Sequence, residues 1–196
     1  MTELEALRLE CLECKKCAIG GVKVDGEHLS NVFSNMNTSA RVMVVGQNPG
    51  RDEVERGEPF VGASGRAFDR AVEERLGMSR SDFYISNVVR CYTEGNRGPY
   101  QEEIDACRAF LDREVELVKP EIIISLGAPA FKQLTGMGGI TKHHGELRFS
   151  PRYGVNVMPL FHPSPLNLND PSRREMFYDG LDKLKRFLDE RDSPTE

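Results

Sequence analysis

The chain has 196 residues, of which 39% are hydrophobic and 29% charged, and its formal net charge is −5 at pH 7. This length suits one domain with a sizeable core. No apolar run approaches the roughly 20 residues that a membrane-spanning helix needs, and the acidic N-terminus does not resemble a signal peptide. We therefore expect a cytoplasmic globular protein. The negative charge excludes a bulk polycation, so any nucleic-acid contact needs a local basic patch.

The cysteines are the first unusual feature along the chain. Cys11, Cys14 and Cys17 have C-x2-C-x2-C spacing, whereas Cys91 and Cys107 lie far downstream. An odd number without a secretion signal argues against a disulfide framework, and the C-x2-C pair does not open a helix after a strand, as a redox motif would. Four thiolates from two distant segments can hold zinc or an iron–sulfur cluster, and the spacing does not choose between them. Cys11 is the expected spare, because it lies on the helical face of "LEALRLECLEC".

Alternating strand and helix patterns follow. Apolar runs rich in Val and Ile, bounded by Gly, Pro or Asn, predict strands at 41–45, 83–89, 121–126 and 155–161. Segments with helical periodicity cover 65–77, 99–119 and 171–191, the last opened by Asp170 as N-cap and Pro171. This order predicts an α/β fold: a single three-layer α/β/α domain around a central, mostly parallel four-stranded sheet. We expect the domain to cover residues 1–191, followed by a short tail, 192–196.

Polar features follow three of the predicted strands. "GQNPG" (46–50) follows the first, Asn87 lies near the end of the second, and "HPSPLN" (162–167) follows the last. Parallel sheets bind ligands beyond the carboxyl ends of their strands. Asn87 is costly to bury unless its amide is paired, and Phe60 in "GEPFVGASG" can stack on a ring. Each feature alone also fits an ordinary turn, strand end or core residue, but together they predict a pocket for a flat heterocycle, as in the reading of a flipped nucleobase.

The ordered motifs resemble the uracil-DNA glycosylase superfamily, most closely its iron–sulfur branch, often called family 4. The resemblance covers nearly the whole chain through the paired cysteines, "VVGQNPG", "GEPFVGASG", "YISNVVRC" with "GNRGPYQEEIDAC", and "HPSPLN". It implies one α/β/α domain of the uracil-DNA glycosylase type. It also implies a [4Fe–4S] cluster whose ligands are Cys14, Cys17, Cys91 and Cys107.

The resemblance further assigns roles in the site. It implies that Phe60 stacks on the extruded base, that Asn87 hydrogen-bonds the Watson–Crick edge, and that His162 donates to the O2 side. The backbone of Gly46, Gln47 and Asn48 would close the base pocket. The minor groove would receive Pro163, Ser164, Pro165 and Leu166, with Leu166 as the wedge that fills the vacated stack. Basic residues available for phosphate contact are Lys142, His143, His144, Arg148, Arg173 and Arg174; a solvated surface is the alternative reading for each.

The first motif departs from family 4. Gln47 occupies the position of the glutamate in G-E-x-P-G, the expected water-activating carboxylate of that family. Asn48 instead matches the asparagine of G-x-N-P-G in the single-strand-selective and mismatch-specific branches. We therefore expect two catalytic residues, Asn48 to orient a water and His162 to stabilise the departing base. Gly50 stands where classical uracil enzymes place a tyrosine against thymine's methyl, so hypoxanthine and xanthine are plausible additional substrates.

The resulting functional prediction is a monofunctional DNA glycosylase that hydrolyses the N-glycosidic bond of uracil in DNA and leaves an abasic site for base-excision repair. No lysine stands in the motifs, so a Schiff-base lyase step is not suggested. Alternatives are a glycosylase for another deaminated base, a non-catalytic iron–sulfur protein that binds DNA lesions, and a zinc-stapled nucleotide-binding module. The expected partner is DNA containing uracil or another deaminated base. We expect a monomer with no membrane contact.

Overall fold

A computed structural model describes residues 1–192 of the chain. Its centre is one five-stranded sheet with the order β2-β1-β3-β5-β4. The strands are β1 (Val42–Gly46), β2 (Phe83–Asn87), β3 (Ile122–Leu126), β4 (Arg148–Ser150) and β5 (Val155–Leu160). The pairs β1–β2, β1–β3 and β3–β5 are parallel, and β4 runs antiparallel to β5 at the edge.

The predicted count of four strands is therefore wrong by one. The additional strand, β4, has only three residues and contains a single apolar side chain, that of Phe149, which is 57% exposed. A strand this short has no hydrophobic pattern of its own. It forms because the edge of β5 offers backbone groups with which Arg148, Phe149 and Ser150 pair.

Eight α-helices surround the sheet within residues 1–192. They are α1 (Glu3–Leu12), α2 (Arg51–Arg56), α3 (Ala63–Leu76), α4 (Gln101–Val118), α5 (Ala128–Thr135), α6 (Ile140–His143), α7 (Pro165–Leu168) and α8 (Pro171–Asp192). The three long helices predicted from periodicity are confirmed as α3, α4 and α8. Helix α8 begins as predicted, because the Arg173 backbone N–H donates to Asp170 Oδ1 at 3.0 Å.

The C-terminal boundary stays a prediction. Asp192, the first residue of the predicted tail, ends α8 and pairs with Arg41 (Nη1 to Oδ1, 2.8 Å). The remaining tail positions, 193–196, lie outside the described residues.

Both faces of the sheet are buried, which confirms the three-layer architecture. Successive strand side chains point to opposite faces. Met43 and Val45 of β1 pack in one core cluster with residues of α1, α4 and α5, while Val42 and Val44 pack in a second cluster with α3 and α8. This double burial explains why the strands are predominantly apolar rather than alternating between apolar and polar residues.

The parallel register brings the polar strand ends together. Gly46, the last residue of β1, pairs directly with Asn87, the last residue of β2. His162 follows the carboxyl end of β5, two residues after Leu160. Three predicted site residues therefore share one edge of the sheet. Among the helices of residues 1–192, none combines the length and the apolar character needed to cross a membrane.

Candidate functional site

One pocket at the carboxyl edge of the sheet brings together the predicted residues Asn48, Phe60, Asn87 and His162. Its volume of about 190 Å³ is below the roughly 300–1,000 Å³ typical of sites for drug-sized ligands. The pocket therefore suits one flat heterocycle. Its other lining residues come mainly from the turn after β1 and the start of α3: Pro49, Gly50, Arg51, Asp52, Glu53, Gly62, Ala63, Ser64 and Asn96.

Gly46 lies where two walls of the pocket, Phe60 and Asn87, converge. A Cβ atom at this position would lie 2.4 Å from Cε2 of Phe60 and 2.5 Å from Oδ1 of Asn87. Real Cβ atoms essentially never come this close to other atoms. The absence of a side chain at Gly46 therefore lets the aromatic edge and the carboxamide converge.

Phe60 is held in an unusual backbone conformation. Its φ of 55° lies in the left-handed region, which side chains other than glycine rarely adopt. The Arg80 guanidinium donates to the carbonyls of Phe60 (2.7 Å) and Pro59, and Gly65 packs so closely that a Cβ there would lie 1.8 Å from the Phe60 oxygen. Strain that surrounding contacts maintain in this way is typical of functional sites.

Asn87, which lines the pocket, carries an unpaired polar atom. The residue is 2% exposed, and its Oδ1 is fully buried without a hydrogen-bond partner in residues 1–192. Leaving such a group unpaired costs about 1–3 kcal/mol. A ligand that hydrogen-bonds this carboxamide would remove that penalty, so the side chain is suited to reading a polar edge.

His162 faces Phe60 across the pocket, with ring centroids 5.9 Å apart at an angle of 46°. Burial lowers the pKa of His162 below its ordinary 6.5, although the Glu53 carboxylate opposes the shift, so the imidazole is neutral at pH 7. Asn167 donates to the His162 backbone oxygen (2.8 Å) and accepts from Arg173 (2.6 Å). The predicted DNA-contacting residue Arg173 thus braces the histidine loop.

The two amides of "GQNPG" point in different directions. Asn48 lines the pocket, and its Nδ2 donates to Thr93 Oγ1 and to the Pro49 carbonyl, both at 3.2 Å. The side chain of Gln47 is absent from the pocket lining and lies beside Gly98. Of the three residues predicted to close the base pocket, Asn48 lines it, Gly46 lies behind the lining residues Phe60 and Asn87, and the Gln47 side chain points elsewhere.

Glu53 is a residue of this site that the sequence interpretation missed. Its Oε2 accepts the Gly50 N–H at 2.9 Å, and its Oε1 accepts the N–H groups of Val61 (3.0 Å) and Gly62 (2.8 Å). One carboxylate thereby joins the turn after β1 to the loop that carries Phe60. The spacing was a usable signal, because a glutamate three residues after an N-cap is the pattern of a capping box.

The predicted minor-groove segment lies directly after His162. Pro163 is buried, whereas Leu166 in α7 is 84% exposed. Leu166 is thus an exposed apolar side chain four residues after the pocket residue His162; its contact with DNA stays a prediction.

The predicted phosphate contacts change at one position. His144 is buried and stacks on Phe161, with centroids 4.3 Å apart. Burial lowers its pKa to about 4, so it is neutral at pH 7. His143 packs on Phe131 and its Nδ1 accepts from Arg148 Nε (2.9 Å). The interpretation of His144 as a surface phosphate contact is therefore wrong.

The five cysteines form a second cluster, on the face of the sheet that packs against α1, α4 and α5. Cys11, Cys14, Cys17, Cys91 and Cys107 are free thiols that line one recess together with Arg90. Asn31, also missed from sequence, links the two cysteine segments: its Nδ2 donates to the carbonyls of Cys11 (2.8 Å) and Cys14 (3.3 Å), and its backbone pairs with Cys91. Cys11 packs in the core on α1, in the same cluster of buried residues as Cys91 and Cys107, so its assignment as the spare thiol stays a prediction.

The side chains that line this recess have the chemistry needed to bind a metal cluster. Burial raises the pKa of Cys91 to about 12 and also raises that of Cys107, so thiolates there need a compensating cation. The Arg90 backbone N–H already donates to Cys107 Sγ at 3.2 Å. The thiols do not form a ready-made metal-binding group within residues 1–192. The cysteines nevertheless line one recess, and thiolate sulfur is the donor type that an iron–sulfur cluster needs.

Comparison with known proteins identifies the family of the chain. The family model for the uracil DNA glycosylase superfamily matches residues 33–185. A type-4 uracil-DNA glycosylase of Sulfurisphaera tokodaii is 32% identical over 195 residues, covering 95% of this chain and 86% of the relative. A type-4 enzyme of Pyrobaculum aerophilum is 37% identical over 162 residues (76% and 81%), and a type-5 uracil-DNA glycosylase of the same organism is 34% identical over 148 residues (67% and 64%).

Proposed function

Because the chain belongs to the uracil DNA glycosylase superfamily, we propose that it is a monofunctional uracil-DNA glycosylase, which hydrolyses the N-glycosidic bond of uracil in DNA and leaves an abasic site for base-excision repair. The observation that carries this proposal is the buried, unpaired carboxamide of Asn87 beside the ring of Phe60. An extruded uracil offers both a flat face for the ring and a polar edge for the amide.

Base recognition uses the two walls that meet above Gly46. Phe60 stacks on the extruded uracil, and the Asn87 carboxamide accepts from uracil N3–H and donates to O4. A base inside the stack cannot make these contacts, so it must first flip out of the duplex. Leu166, exposed beside the pocket, fills the space that the flipped base leaves. Pro163, Ser164 and Pro165 shape this minor-groove contact.

Cleavage of the glycosidic bond separates charge, and different residues act on the negative base and on the positive sugar. As the bond between C1′ and N1 breaks, the electron pair leaves with uracil and positive charge develops on the sugar. The neutral His162 imidazole donates its N–H to uracil O2 and stabilises the anion; one such donor is worth about 3–4 kcal/mol. The Asn48 oxygen orients a water toward C1′. Because an amide does not take up a proton at pH 7, the proton of the added water passes to solvent.

We further propose that Cys14, Cys17, Cys91 and Cys107 hold a [4Fe–4S] cluster. When bound, the cluster ties the N-terminal loop to the segment that runs from β2 into α4. The four residues have the donor type and the shared recess that such a cluster needs. Iron and sulfide analysis of anaerobically purified protein tests this. About four irons per chain and visible absorbance are expected, unchanged in Cys11→Ala and lost in Cys107→Ala; stoichiometric zinc would contradict it.

A second candidate, another deaminated base as main substrate, is favoured by one observation. Gly50 lines the pocket without a side chain, so no wall there rejects a larger base such as hypoxanthine or xanthine. The cytoplasmic location and the monomeric state remain predictions from the sequence.

One excision assay tests these alternatives. The protein is incubated with oligonucleotides that carry uracil, hypoxanthine, xanthine or mismatched thymine, and abasic sites are then cleaved with alkali. Breaks chiefly at uracil are expected, with a loss of ~10-fold or more in Asn48→Ala, because the water is no longer oriented. Asn156→Ala, at the opposite edge of the sheet, is the matched control. Breaks chiefly at a purine lesion would favour the second candidate, and tight binding without breaks would refute both.

A further inference from the structure

We propose that Thr93 is the positioning residue for Asn48: it determines that the carboxamide oxygen, and not the NH2 group, faces the reacting centre. This inference rests on the proposed function. Thr93 belongs to none of the motifs that carry the family resemblance, and it is fully buried. It follows Cys91 by two residues and begins the turn that leads into α4.

The hydroxyl of Thr93 is committed to one direction. A threonine hydroxyl has a single hydrogen to donate, and that of Thr93 goes to the backbone oxygen of Arg97 at 2.5 Å. Toward Asn48, therefore, Thr93 Oγ1 presents only lone pairs. The atom of Asn48 that lies 3.2 Å from Oγ1 must be the amide nitrogen, since an oxygen there would have no hydrogen to accept.

A second acceptor supports the same orientation. The Pro49 carbonyl oxygen also lies 3.2 Å from Asn48 Nδ2, so two acceptors surround this end of the side chain. Rotating the carboxamide by 180° would break both hydrogen bonds and place its oxygen against two other oxygens. The Oδ1 of Asn48 is thereby directed away from Thr93 and left available as an acceptor.

The position of Arg97 is itself fixed by α4. The Arg97 guanidinium forms a two-pronged ion pair with Glu103 (2.9 and 2.6 Å) and lies 3.9 Å above the Tyr100 ring. Glu103 is buried in the first turn of α4, the helix that carries Cys107. A continuous series of contacts therefore leads from the cysteine-bearing helix to the Asn48 amide.

The orientation matters because the two ends of an amide act on water in opposite ways. An oxygen accepts a hydrogen of the water and leaves a water lone pair to attack C1′. An NH2 group in the same place would donate to the water oxygen and occupy that lone pair. Thr93 therefore acts on the hydrolytic step through Asn48 and contacts neither DNA nor base.

A double-mutant cycle on single-turnover uracil excision tests this role. Thr93→Val keeps the shape but loses the hydroxyl, and we expect the rate to fall about 3- to 10-fold, the equivalent of one ordinary hydrogen bond, with unchanged DNA affinity. Thr93→Ser keeps the hydroxyl and should stay within about 2-fold of the wild type. In an Asn48→Ala background, Thr93→Val should have no further effect. An equal loss in both backgrounds would overturn the inference.

A readout without catalysis separates this inference from the proposed function. The side-chain NH2 signals of Asn48 in a 15N-labelled sample are identified by their disappearance in Asn48→Ala. We expect them to move in Thr93→Val and to stay in place in Thr93→Ser. If the wild type excises no lesion, the proposed function fails while this measurement still decides the orientation. Signals that are unchanged in both variants would refute the role of Thr93.

Discussion

Adding one methyl group at Gly46 tests the geometry of the pocket most directly. A Cβ there would lie 2.4 Å from Phe60 Cε2 and 2.5 Å from Asn87 Oδ1. Ordinary van der Waals contact begins at 3.4 Å, so each group must retreat by about 1 Å (3.4 − 2.4 and 3.4 − 2.5). The Phe60 side cannot adapt freely, because Arg80 and Gly65 hold its backbone.

The expected consequence is a large loss of activity with a modest loss of stability. A misplacement of about 1 Å in a catalytic site can cost ~10²-fold in rate, and overpacking costs about 1–3 kcal/mol of folding free energy. We therefore expect Gly46→Ala to lower uracil excision about 100-fold while the protein remains folded. The matched control is Gly138→Ala, because a Cβ at Gly138 meets nothing within 4 Å and its φ is not positive.

Single-turnover excision and thermal unfolding are measured on the same preparations. A reduced rate with a cooperative unfolding transition supports the convergence of Phe60 and Asn87 above Gly46. If Gly46→Ala and Gly138→Ala both keep the wild-type rate, the two walls do not meet as described, and the assignment of this pocket to the base is refuted.

Three further predictions concern charge. His162→Ala is expected to lose about 10²–10³ in excision rate. Since burial lowers the pKa of His162, the donating imidazole is neutral from pH 7 upward, and the ratio of wild-type to variant rates should be the same at pH 7 and pH 8; a ratio that changes between these two pH values would contradict the lowered pKa. Arg90→Met leaves its buried partner Glu114 without an opposite charge and should lower the free energy of unfolding by about 3–5 kcal/mol. Adding Glu114→Leu to Arg90→Met should restore most of this loss. Denaturant unfolding in which the double variant is less stable than Arg90→Met would contradict this. Hydrogen bonds from Arg97 lower the pKa of Glu103 below 4.5, so the ionised carboxylate stabilises the fold above pH 4.5, and this stabilisation is lost as pH falls through the lowered pKa. In Glu103→Gln, the Tm should therefore depend less on pH in this acid range. A Tm profile identical to that of the wild type would contradict the pairing.

Most of the fold was predictable because the hydrophobic patterns of the strands and helices match the burial that a three-layer fold requires. The runs that became β1, β2, β3 and β5 are predominantly apolar, as is typical of strands buried on both faces. Their parallel arrangement then places their carboxyl ends at one edge, which is why Asn87 and His162 could be assigned to one site. The edge strand β4 was not predictable, because its three residues pair only where β5 offers a free edge.

The orientation of side chains in the site was less accessible from sequence. Neighbouring amides at 47 and 48 look equivalent in "GQNPG", yet the Gln47 side chain lies beside Gly98 while that of Asn48 borders the pocket. The two side chains contact different residues of one downstream loop, Asn48 contacting Thr93 and Gln47 lying beside Gly98, and these neighbours are not evident from the sequence.

Burial periodicity and chain order, both visible in the sequence, indicate which chemical groups reach the carboxyl edge of the sheet and which cysteines are available. The directions of the hydrogen bonds in the site became visible only in the folded structure. Thr93 donates to Arg97 and so turns the Asn48 oxygen toward the pocket, and Glu53 joins two loops through three backbone N–H groups. The physical reason is that a hydrogen bond requires a specific distance and direction between groups that are far apart in the chain, and these are set only when the loops pack.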